Sequence, residues 1–102
     1  MTATARGGLR PAVTAAAAQR RLRNVLSRAR WMAVELRDLA ADLDAPAPAA
    51  ERRRGAKVMR LRSYLRAMVA QMLADEVEPL LAPLERAATI KAEELPDDFP
   101  VD

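Results

Sequence analysis

The sequence predicts an all-α protein: an antiparallel helical hairpin with a Pro-kinked or separate third helical segment, paired into a dimeric four-helix-type bundle. Three observations carry this. Apolar residues recur alternately three and four apart over two long stretches, the spacing that places them on one face of a helix. Aromatic residues are limited to Trp31, Tyr64 and Phe99 and β-branched residues are few, which disfavours a sandwich or barrel. Of the 52 apolar-class residues 23 are Ala, which leaves 29 larger ones to build a core, so a monomer would be lean and self-association is expected.

Residues 1–12 contain Gly7, Gly8 and Pro11 without periodicity and read as a flexible basic arm. The helical domain is expected over 13–94. Its first helix, 14–43, opens at Thr14 as N-cap and carries the seam Leu22, Val25, Ala29, Met32, Leu36, Leu39 and Leu43, widened by Leu26, Ala33 and Ala40. A loop at 44–50 follows, because Pro46 and Pro48 cannot continue a helix and bias the residues before them toward extended backbone. The second helix, 51–78, starts with Glu51 in its first turn, where negative charge suits the dipole. Its seam runs Val58, Leu61, Leu65, Met68 and Met72, then slips by one residue to Leu73, Val77, Leu80 and Leu84, while Gly55 weakens its first turns. Pro79 and Pro83 each remove a backbone donor and crowd the preceding turn, so 79–94 is expected as a kinked or separate segment. Residues 95–102, with Asp97, Asp98 and Phe99 between two prolines, read as an extended acidic tail.

The net charge of +3 hides a strong segregation. Residues 1–34 carry seven Arg and no acid, 35–51 five acids and one Arg, 52–66 seven bases and no acid, and 67–102 nine acids and two bases. Each long helix is therefore basic first and acidic later, against its own dipole. Antiparallel packing resolves part of this, setting Glu35, Asp38 and Asp42 beside Arg52, Arg53, Arg54 and Lys57, and so selects orientation more than it adds stability. A loop centred near Pro46 would face Val25 with Met68 and Met32 with Leu61. The same register opposes Arg20, Arg21, Arg23, Arg28 and Arg30 to Arg60, Arg62 and Arg66, a basic belt in the middle of the hairpin.

Without Cys or His, the chain has no disulfide, no thiolate or imidazole metal site, no Cys nucleophile and no imidazole general base. Asp42 and Asp44, like Glu76 and Glu78, lie two apart and point to different helix faces. Gly7-Gly8 lacks the preceding strand and following Lys-Ser/Thr of a phosphate loop. No catalytic, metal-ligating or cofactor-binding residue is assigned, and no small-molecule substrate is implied. No apolar run approaches the ~20 residues of a membrane span, and the expected setting is cytoplasmic. The acid-free opening, rich in Arg, Thr and Ala, also has the composition of an organellar transit peptide.

The functional expectation is a non-enzymatic protein-interaction module, an assembly, adaptor or regulatory protein acting as a homodimer. Three surfaces are candidates. The arginine belt would take nucleic acid, an acidic protein partner or the chain's own 93–102 tail. Trp31 with Val34 lies off the seam, and an aromatic flanked by arginines makes an interface anchor. Asp97, Asp98 and Phe99 suit docking as an extended peptide into a basic, apolar pocket. The alternative is a charge-driven nucleic-acid-binding protein using the belt and the N-terminal arm, although aromatics for base stacking are nearly missing.

Overall fold

The structure, a computed structural model, describes residues 12–101. The expected arm over 1–12 therefore lies outside the described residues apart from Ala12. Among those residues the chain forms α1 (Ala15–Asp44), α2 (Ala49–Arg52), α3 (Ala56–Met72), a π-helical turn (Leu73–Val77), α4 (Glu78–Thr89) and a 3-10 turn (Ala92–Glu94). The protein is all-α, and no described helix is long and apolar enough to cross a membrane.

α1 begins as its sequence dictates. Thr14 holds extended backbone and its Oγ1 accepts the Ala17 N–H at 3.0 Å, satisfying one orphan donor of the first turn. The helix stops at Asp44 because Ala45, next to Pro46, is driven to extended backbone. The fold-back is longer than a proline loop. α2 adds one turn, and Gly55 then precedes α3 with φ 101°, a conformation that only glycine adopts without strain.

Pro79 and Pro83 do not break the second arm. Pro79 has no N–H for the Asp75 carbonyl, and its ring would crowd that carbonyl in a regular α-helix. The turn ahead of it opens instead: the Glu78 N–H donates to the Leu73 carbonyl, five residues back. This widening gives the ring room, and the helix continues through Pro83 to Thr89 with no non-helical residue between Ala56 and Thr89.

α1 runs antiparallel to α3, the π-helical turn and α4. Asp44 pairs with Arg66, Arg37 with Glu78 and Arg30 with Glu85, while Arg23 reaches the Ala88 carbonyl. These pairs centre the fold-back on the Arg52–Lys57 stretch, not on Pro46. The expected register is corrected accordingly, because α2 and the Gly55 junction lengthen the turn. Met32 lies level with the start of α4 and does not face Leu61, and the basic segments of α1 and α3 do not oppose each other.

The α1 seam keeps Leu22, Ala29, Leu36 and Leu43 as expected, but Leu26, Ala33 and Ala40 take the places expected of Val25, Met32 and Leu39, one position away. The buried residues between the helices are Leu26, Ala29 and Ala33 from α1, Val69 from α3, Val77 from the π-helical turn and Ala88 from α4, with Ala47 under the fold-back. Leu22, Leu36, Ala40 and Leu43 continue the α1 seam half-buried. Small side chains thus occupy the contact line, which suits close ridges-into-grooves packing of two helices. The larger Val25, Met32 and Leu39 are left exposed beside it.

Candidate interaction faces

A pair of helices has two open sides, and the sequence makes them chemically different. At 3.6 residues per turn, Val25, Met32 and Leu39 fall to one side of the α1 seam, the margin toward which the seam residues Leu36 and Leu43 also turn, whereas Arg23, Arg30, Arg37 and Ala41 fall to the other. On the second arm Val58, Leu61, Leu65, Met68 and Met72 separate in the same way from Arg66 and Ala70. The structure shows which sides coincide. Leu43 shares one hollow with Val58, Leu61 and Leu65, while Ala40, Ala41 and Asp44 share another with Arg66, Ala67 and Ala70.

The second of these sides is polar and internally satisfied. Arg30 lies 3.3 Å from Glu85, Arg37 3.1 Å from Glu78 and Arg66 2.8 Å from Asp44. These pairs are exposed, so each contributes ~0–1 kcal/mol and serves mainly to fix orientation. At the far end Gln19 donates from Nε2 to the carbonyls of Ala87 (3.1 Å) and Ile90 (2.8 Å), and Arg23 Nη1 donates to the Ala88 carbonyl at 3.1 Å. Side chains of α1 thereby cap the C-terminus of α4, where positive charge suits the dipole.

At the fold-back Arg62 is largely enclosed. Its Nη1 bonds Glu51 at 3.0 Å, and its Nη2 bonds the Asp42 and Ala45 carbonyls at 2.9 and 3.2 Å. Arg52 donates to the Ala47 carbonyl. Of the eight belt arginines, Arg23, Arg30, Arg62 and Arg66 are thus held in contacts within the chain. Arg20, Arg21, Arg28 and Arg60 are exposed and pair with no acid among the described residues; Arg20 and Arg21 line one hollow with Arg23 near the start of α1, while Arg60 lies apart on α3.

Trp31 is 66% exposed and Val34 40%, on the outer surface of α1, because α4 packs on the seam and does not reach around to them. Phe99 is exposed too, with its N–H donating to the Pro96 carbonyl at 3.1 Å. Asp97 and Asp98 make no ion pair with an arginine among the described residues.

The first side is open and apolar. Met32, Leu36 and Leu39 line a groove with Glu35, Asp38 and Asp42, and Ala18, Leu22 and Val25 line its continuation beside Arg21. Leu61 is 55% and Leu65 42% exposed, and Leu80 extends the patch onto α4. No protein-family model, curated protein or solved structure matches the chain. The interaction surfaces therefore rest on the chemistry of these two faces alone.

The sequence puts Val25, Met32, Leu39, Leu61 and Leu65 on the contact line of the hairpin, with a second hairpin expected over it; the structure leaves them exposed beside that line. The available signal was the width of the stripe. An apolar band spanning Leu22, Val25 and Leu26 in each repeat is too broad for a single neighbouring helix, and it asks for two.

Proposed function

We propose that the protein is a non-enzymatic assembly module that works as a homodimer, a second copy covering the open apolar face to complete a four-helix-type bundle. The observation that carries this is the inversion of side-chain size. Four of the seven buried apolar residues are alanines, while Val25, Met32, Leu39, Leu61, Leu65 and Leu80 remain exposed on one side. Each of these leaves on the order of 50–100 Å² in water, and with their half-buried neighbours they approach the ~800 Å² per partner of a standard interface. A patch of that extent marks an association site on a soluble chain. The missing Cys and His support the non-enzymatic part, since the common nucleophile and base pairs cannot be built.

Light scattering after size exclusion tests it. A mass of twice 11.2 kDa that persists in high salt is expected, because apolar burial is not screened. A concentration-independent monomer overturns the proposal. Nucleic-acid binding that falls steeply with salt and is lost on replacing Arg20, Arg21, Arg28 and Arg60 would put the electrostatic alternative in its place.

A further inference from the structure

Resting on that homodimer, we infer that its two-fold axis passes beside Met32, so that α1 crosses α1 of the second copy antiparallel. The open face of α1 is symmetric about this residue. Val25 and Leu39 stand at equal distances on either side, and Leu22 and Leu43 do so within one residue; the charges bordering the same face repeat the pattern. Arg21 sits beside Val25 in one groove, and Glu35 and Asp42 sit beside Met32 and Leu39 in the other. Arg28 lies one turn from both Val25 and Met32 on the same margin. Antiparallel crossing about Met32 therefore sets Val25 on Leu39 of the second copy, Arg28 beside Glu35 and Arg21 beside Asp42. One register satisfies the apolar set of α1 together with Arg21, Arg28, Glu35 and Asp42.

The other closed two-fold arrangement has its axis along the helices and stacks α1 on the α3 and α4 arm of the second copy at the same level. Arg37 bonds Glu78, so Glu35 lies level with the acidic turn before α4. That arrangement would bring Glu35 toward Asp75 and Glu76 of the second copy, like charges at close range, which disfavours it. The segregation of arginine into the first half of α1 and acid into its last part, which opposes the helix dipole, becomes a device for homotypic pairing.

The chain has no cysteine, so single introduced ones report cleanly. Met32→Cys is expected to yield a disulfide-linked dimer on mild oxidation of the folded protein, since residues on the axis meet their own copies. A spin label on Arg20→Cys should sit far from its symmetry mate, about 36 Å along the axis at 1.5 Å per residue. With the axis along the helices the two labels would lie level, roughly 10–20 Å apart, and Met32→Cys would not cross-link. Arg28→Glu should weaken the dimer roughly fivefold at low salt, and adding Glu35→Arg to the same chain should restore it. A dimer with short label distances and no rescue by the charge swap overturns this geometry while leaving the assembly reading intact. A monomer, with no dipolar signal between labels, removes both.

Discussion

Arg62 and Glu51 meet at 3.0 Å across the fold-back, and the same guanidinium takes the Asp42 and Ala45 carbonyls at the end of α1. One side chain thus caps α1, holds the first turn of the connection and anchors α3. Its side chain is only 16% exposed, so the contact is desolvated enough to matter. Removing it strands three acceptors. Arg62→Ala is expected to lower stability by about 2 kcal/mol in urea denaturation, and Arg62→Lys should recover little, because an ammonium cannot serve a forked set of acceptors.

Gly55 has φ 101° and open space where a Cβ would stand, so a methyl group there would meet no neighbour and only the backbone conformation penalises it. Gly55→Ala should cost roughly 1–3 kcal/mol. A melting temperature equal to that of the wild type would show that the turn relaxes freely.

The two apolar sets should respond differently to charge. Val69 is buried in the seam, and Val69→Asp should abolish the helical circular dichroism signal, since an unpaired carboxylate cannot remain there. Leu65 is 42% exposed on the open face. Leu65→Asp should keep its helicity at low concentration and lose the dimer in light scattering. Equal unfolding by both substitutions would mean that the open face belongs to the fold of a single chain.

Ala33 and Ala88 are 1% and 0% exposed at the helix contact. Ala33→Leu is expected to destabilise by ~1–3 kcal/mol through overpacking, although leucine is the more hydrophobic residue and nearly as good a helix former. A stabilised variant would show that the helices can move apart.

The Gln19 and Arg23 contacts predict a local effect. Replacing both by Ala frees the carbonyls of Ala87, Ala88 and Ile90, and hydrogen exchange should accelerate over the last turn of α4 while the amides of α3 stay protected.

The all-α class, the Thr14 cap, the long first helix and its end before Pro46 were all legible in the sequence, because each depends on local backbone chemistry. Thr14 can accept a bond from a residue three positions on, and Pro46 restricts only the residue before it. The antiparallel direction was legible as well, but its expected charge partners were not: Glu35, Asp38 and Asp42 form no ion pair with Arg52, Arg53, Arg54 or Lys57, and the pairs that form are Arg30–Glu85, Arg37–Glu78, Arg62–Glu51 and Arg66–Asp44.

Register and sidedness were decided by the tertiary structure. Where α1 meets its neighbour depends on how many residues the fold-back consumes, and α2 with Gly55 consumes more than the two prolines announce. That shift moved Arg30 and Arg37 onto Glu85 and Glu78 and dissolved the arginine belt. The stripe on α1 was wide enough to admit two seams one residue apart, and periodicity cannot choose between them. Packing chose the one lined by Ala29, Ala33 and Ala40, because the shape of the facing helix, a non-local property, determines which side chains fit between two axes. Met32, Leu39 and Leu65 were left facing outward as a consequence, and periodicity assigns their apolar character equally well to a core or to an interface.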